Sequence, residues 1–231
     1  MKIKKRRLNL DAQEIVIPIG TSQITGNLTL IKNSRSLVIF AHGSGSSRLS
    51  KRNQFVANIL HQAHISTFLF DLLTKEEDEI DQYTRQFRFN IPLLADRLVL
   101  VTQWAQNNPE TASANIGYFG ASTGAAAALI AAARLQADIS AVVSRGGRPD
   151  LAEDFLSHVQ CPTLLIVGEL DYEVIELNEL AYSKLHCTKE LSIVPQATHL
   201  FEEHGTLEQA SLLARDWFVK FLSNEPKTNS L

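Results

Sequence analysis

Asn115-Ile-Gly-Tyr-Phe-Gly-Ala-Ser122-Thr-Gly124-Ala-Ala-Ala-Ala-Leu-Ile130 is the stretch on which the reading of this chain turns. Residues 115–119 predict a strand, and the alanine-rich run over 122–135 predicts a helix. Between them stands Gly120-Ala-Ser122-Thr-Gly124, a G-x-S-x-G pattern. In a strand-to-helix context the serine of that pattern occupies a tight, strained turn, and small residues two positions either side let strand and helix approach closely. The turn puts Ser122 at a helix N-terminus, where amide groups favour developing negative charge. A plainer reading of the same letters is a helix cap, with Ser122 or Thr123 as the capping residue.

Upstream, residues 14–19 and 24–31 are β-rich and joined by a short turn-like connection at 20–23, which predicts an antiparallel hairpin. Ser36-Leu-Val-Ile-Phe-Ala41 is a continuous apolar run of the kind found in strands buried on both faces, and it ends in the loop His42-Gly-Ser-Gly-Ser-Ser-Arg48. Helices are expected near 51–62, 91–107, 149–158, 174–184 and 207–222, alternating with strands at 65–70, 139–143, 163–167 and 190–194. With the serine-bearing segment this makes eight strands and six helices, an α/β chain with a mostly parallel sheet and helices on both faces. Residues 72–90 interrupt the alternation. Five carboxylates fall between 75 and 81 there, which predicts a solvated loop or short helix over the carboxyl edge of the sheet. Residues 1–223 read as a single domain and 224–231 as a flexible tail.

Composition narrows the class of function. The 231 residues are 45% hydrophobic and 20% charged, and 22 basic against 25 acidic residues leave a net charge of −3. Nothing in that balance points to nucleic acid or to lipid. The basic start, Lys2 to Arg7, is followed by no apolar h-region and reads as a solvated terminus. The longest apolar run, 125–133, has nine residues, whereas a membrane span needs about 20. Cys161 and Cys187 form no Cys-x-x-Cys pattern, which favours a cytoplasmic chain with reduced thiols. His61-x-x-His64 has no acidic or cysteine partner at ligand spacing, so no metal is expected.

A serine hydroxyl becomes a nucleophile only when an imidazole takes its proton, and a carboxylate must hold that imidazole. Asp171 follows the 163–167 strand, at the sheet edge where catalytic groups collect; Glu169, Glu173 and Asp150 are its rivals. His199 follows the 190–194 strand, with His204 and His42 as rivals, and His42 is better placed to brace the glycine loop. The order Ser122, Asp171, His199 is that of an α/β-hydrolase triad. Two backbone donors must hold the oxyanion of acyl transfer. Thr123 supplies one, and Ser44 in the glycine loop is the candidate for the other. That loop fits neither G-x-G-x-x-G nor the P-loop pattern, so a nucleotide site is disfavoured. Arg145 and Arg148, just after the 139–143 strand, either bind a substrate carboxylate or phosphate or tie loops together.

The set His42-Gly-Ser-Gly, Gly120-Ala-Ser-Thr-Gly124, Gly168-Glu-Leu-Asp171 and Ala197-Thr-His199-Leu-Phe201 resembles the α/β-hydrolase superfamily, in particular its dienelactone-hydrolase-like branch. The resemblance spans nearly the whole chain. It implies an eight-stranded sheet with little or no cap domain, and hydrolysis of small carboxylic esters or lactones without metal or organic cofactor. Dienelactone hydrolase itself uses a cysteine nucleophile, and position 122 is serine. An acyl-Ser122 mechanism is therefore the leading reading. An acyltransferase or peptidase with the same triad, and a non-catalytic binding or regulatory module on the same fold, are the alternatives.

Overall fold

The computed structural model describes residues 12–222; the basic stretch 2–7 and the tail 223–231 lie outside the described residues. Strands β1 (Gln13–Ile19) and β2 (Ser22–Thr29) pair antiparallel across a two-residue turn, Ile19 opposite Ser22. The connection is shorter than the sequence suggested because Ser22 and Gln23 join the ladder. β2 then pairs antiparallel with β4 (Ser66–Phe70). Beyond it the sheet is parallel: β3 (Ser36–Ala41), β5 (Asn115–Ala121), β6 (Ile139–Arg145), β7 (Thr163–Gly168) and β8 (Lys189–Val194). The order across the sheet is β1-β2-β4-β3-β5-β6-β7-β8.

Every residue of β3 is buried, and its period of two explains why. Leu37, Ile39 and Ala41 face a core shared with α3 (Ile91–Asn107) and α4 (Thr123–Leu135). Val38 and Phe40 face a second core, built with α1 (Lys51–Gln62) and α6 (Thr206–Leu222). A strand covered on both sides must be apolar at every position, and each such Leu, Ile or Phe contributes roughly 1.5–3 kcal/mol on burial. Helix α4 is enclosed as well, with all residues from Thr123 to Ala133 buried. Its alanines keep the helix slim enough to lie against β5, α3 and the 149–158 segment.

Three departures from the sequence reading have local causes. Residues 75–84 form helix α2 (Lys75–Thr84). The Thr74 hydroxyl accepts from Glu77 N–H and the Glu77 carboxylate accepts from Thr74 N–H, a reciprocal capping box. The acidic run thus sits on a helix N-terminus, where the dipole favours it. Residues 149–158 form two 3-10 turns broken at Glu153, which has φ 47°, in place of one helix. Finally, β6 runs on through Arg145, which pairs with Ala121 on one side and Ile166 on the other.

The chain leaves β3 toward α1 on one face and β5 toward α4 on the other. Adjacent strands whose connections part in this way open a crevice at their carboxyl ends. Helix α5 (Tyr172–Lys184) follows β7 at the same edge. Among the described residues no helix is long and apolar enough to cross a membrane.

Candidate active site

Ser122 occupies the turn from β5 to α4 with φ 51° and ψ −125°, a conformation an L-residue holds only under constraint. Its backbone is clipped on two sides: Ser122 N–H donates to Arg145 O at 3.4 Å, and Arg148 N–H donates to Ser122 O at 3.0 Å. The Ser122 side chain makes no capping hydrogen bond, although the residue stands at the N-cap position. Gly43 lies so close that a Cβ there would stand 2.9 Å from Ser122 Cβ. A larger residue at position 43 would push the glycine loop off the Ser122 turn.

His199 is carried by the loop after β8 and Asp171 by the loop after β7. His199 Nδ1 donates to Asp171 Oδ2 at 2.7 Å. That bond assigns the proton to Nδ1 and leaves Nε2 as the acceptor, the tautomer a general base needs. Asp171 is the N-cap of α5 yet makes no side-chain cap bond, so its carboxylate is free for the histidine. Two of the three rival carboxylates are occupied elsewhere: Glu169 accepts from Gln196 N–H at 2.8 Å, and Asp150 holds Arg148. Ser122 and His199 line one cavity of about 240 Å³, together with Gly43, Ser44, Arg52 and Arg145. The His199 side chain is 38% exposed and that of Asp171 only 14%, so the imidazole is reachable and the carboxylate it meets is screened.

Of the two expected oxyanion donors, the Thr123 amide begins α4, where no intrahelical acceptor exists for it. The Ser44 amide, the other expected donor, is engaged in this structure. It donates to Thr123 Oγ1 at 3.0 Å, because the Thr123 side chain reaches across to the glycine loop. His42 braces that loop as the sequence suggested: Leu72 N–H donates to His42 Nε2 at 3.0 Å, and His42 Nδ1 donates to Gly43 O at 2.9 Å. Burial holds its pKa below the ordinary histidine value, consistent with a neutral ring.

The two arginines part company. Arg148 meets Asp150 through two bonds of 2.9 and 2.8 Å, the loop-tying alternative of the sequence analysis. Arg145 is buried at the end of β6 and lines the cavity. Sequence reasoning had no access to the contacts that hold the histidine loop. Glu203 accepts from Thr198 N–H at 3.1 Å and Thr198 Oγ1 at 2.6 Å, and these bonds hold its carboxyl below the usual pKa. Nor does it reveal that Asn178, buried on α5, donates to Gly147 O at 3.0 Å. His204 lies in a separate surface groove. His61 is buried on α1 with Nε2 2.7 Å from Thr67 Oγ1, a satisfied core histidine. Among the described residues no three metal-ligating side chains converge.

Comparison with known proteins identifies the family. Residues 52–223 match the model of the dienelactone hydrolase family. A dienelactone hydrolase from Anabaena variabilis superposes with a TM-score of 0.89 at 52% identity, covering 92% of this chain and 99% of that one. Est1E from Butyrivibrio proteoclasticus superposes with a TM-score of 0.77 over 91% of this chain and 99% of its own, but at 16% identity, a likeness of fold alone. A Mycobacterium tuberculosis H37Rv protein named as a putative phosphoribosyl transferase is 53% identical over 210 residues. Those residues are 91% of this chain and 46% of that protein, so the chain spans about half the length of this curated relative.

Proposed function

The chain belongs to the dienelactone hydrolase family, and from that membership we propose that it is a serine-dependent hydrolase of small carboxylic esters or lactones. The carrying observation is that His199, held by Asp171 through a 2.7 Å bond, lines one small cavity together with Ser122 on its strained turn. Ser122 Oγ attacks the ester carbonyl while His199 Nε2 takes its proton. The alkoxide then departs with that proton and leaves an acyl-Ser122 ester. Water, deprotonated by His199, releases the acid and restores the serine. The Thr123 amide at the α4 N-terminus holds the oxyanion, and the Ser44 amide joins it when the Thr123 hydroxyl turns away. Both cysteines are free thiols, which suits a cytoplasmic setting.

The phosphoribosyl-transferase name belongs to a protein of which this chain matches less than half. No residue constellation described above calls for that chemistry. Activity-based labelling with a fluorophosphonate tests the hydrolase reading. The reagent should modify Ser122, Ser122→Ala should abolish labelling, and hydrolysis of short-chain p-nitrophenyl esters should fall on the order of 10⁶-fold in kcat. Modification of another residue, or a tenth of the activity surviving in Ser122→Ala, would reject the triad. Ester turnover by the unmodified chain separates an enzyme from a binding module, and product partition with added alcohols separates hydrolysis from acyl transfer.

A further inference from the structure

Arg145 ends β6 with 7% of its surface exposed. Its guanidinium lies between the rings of Phe119 and Phe201, 5.9 and 5.8 Å from their centroids. Nε and Nη1 are buried, and no described residue offers either of them an acceptor. Burial and then the neighbouring charge of Arg52 pull its pKa down to about 10, so it remains a cation at neutral pH. Buried charges are ordinarily paired. Here the charged group bearing on the cation is a second cation.

The surroundings repeat the signal. Arg52 lines the same cavity from the first turn of α1, as do Ser50 and Asn53. That turn carries Lys51 and Arg52 and no acid, the reverse of what a helix dipole favours. Ser50 caps Asn53 N–H, which leaves the Lys51 and Arg52 amides without intrahelical acceptors. Glu202 pairs with Arg52 at 3.1 Å but is 64% exposed, and such surface pairs are weak.

We propose that the substrate hydrolysed at Ser122 carries a phosphate group, bound between the Arg145 guanidinium and the N-terminal turn of α1. The proposal rests on the hydrolase reading above and adds the chemical class of the substrate. Two considerations favour phosphate over carboxylate. A carboxylate is planar and carries one charge, which a single guanidinium satisfies in its own plane. This cavity offers donors from the sheet edge and from a helix terminus, with two guanidinium charges. A tetrahedral group of charge near −2 uses both directions and neutralises both cations.

Calorimetric titration of inorganic phosphate into the full chain carrying Ser122→Ala measures the subsite independently of turnover. Phosphate should bind at least about tenfold more tightly than acetate. Arg145→Met should weaken it by about tenfold or more, the scale of a lost charge-assisted hydrogen bond. Methionine fills the slot between the two rings, and Arg52→Gln, on a more exposed side chain, gives a second reading through the same subsite should Arg145→Met fail to fold. In the unsubstituted protein, phosphate should inhibit p-nitrophenyl acetate hydrolysis competitively. Absence of phosphate binding, equal binding of acetate, or binding untouched by both substitutions would overturn the proposal. Those outcomes leave fluorophosphonate labelling of Ser122 unaffected, so the subsite and the hydrolase reading fail separately.

Discussion

At Ser122 the backbone is held where an L-residue costs about 1–3 kcal/mol, and the surrounding hydrogen bonds to Arg145 and Arg148 offset that cost. The same turn that strains the serine leaves its hydroxyl out of the α4 cap and sets it beside the first α4 amides, which have no intrahelical acceptor. Asp171 shows the complementary economy, since a residue at a helix N-cap usually spends its oxygen on that helix, and this one spends it on His199. Asp171→Asn should therefore leave α5 and the fold intact while lowering kcat by about 10⁴-fold, because the amide favours the wrong imidazole tautomer. Steady-state kinetics with a near-ultraviolet circular dichroism control measures both parts. A fall in kcat of less than tenfold would remove Asp171 from the mechanism.

Elements meet at this site through missing side chains as much as through present ones. A Cβ on Gly124 would stand 2.2 Å from Ala41 O and 2.5 Å from His42 O, both backbone atoms that have nowhere to go. The first turn of α4 and the end of β3 can approach this closely only because position 124 is glycine. Gly124→Ala should force them apart, lowering the melting temperature and abolishing ester hydrolysis together. A variant as stable and as active as the parent would mean that the two elements are not held at this distance in solution. Around them, α2 is anchored chiefly by polar contacts: Asp81 is its only buried residue and accepts from Phe87 and Arg88 amides at 2.7 and 3.0 Å. Ser22 also donates to Glu76 at 2.6 Å, tying the helix to the β1–β2 hairpin. Capping and this return turn use Glu77 and Asp81 of the acidic run 75–81.

Over the whole molecule, burial of two histidines couples stability to pH. His61 is neutral in the fold, its pKa depressed by burial from 6.5 to about 4, and His42 is depressed in the same sense. The unfolded chain takes up protons below pH 6.5 that the folded chain refuses. Stability is therefore fully present above pH 6.5 and falls as pH drops toward 4, by roughly 3 kcal/mol for His61 alone. Urea midpoints should decline between pH 7.5 and pH 5, and His61→Gln should make that decline shallower. A flat profile would show that neither ring is desolvated as described. What the sequence by itself determined was everything written in local order: alternating strands and helices, the strand-turn-helix setting of Ser122, and Asp171 and His199 each behind its own strand. Those features depend on periodicity and on residue types within a few positions, which a single chain displays directly. Tertiary structure alone decided what each polar group faces. Arg145 and Arg148 are three residues apart and looked equivalent, yet extension of β6 buries one at the cavity that Ser122 lines and the following turn hands the other to Asp150. Likewise the Ser44 amide meets Thr123 Oγ1, a partner 79 residues away. Such pairings are set by the approach of distant elements, and the competition between water, protein and ligand for each donor is resolved only once those elements are packed.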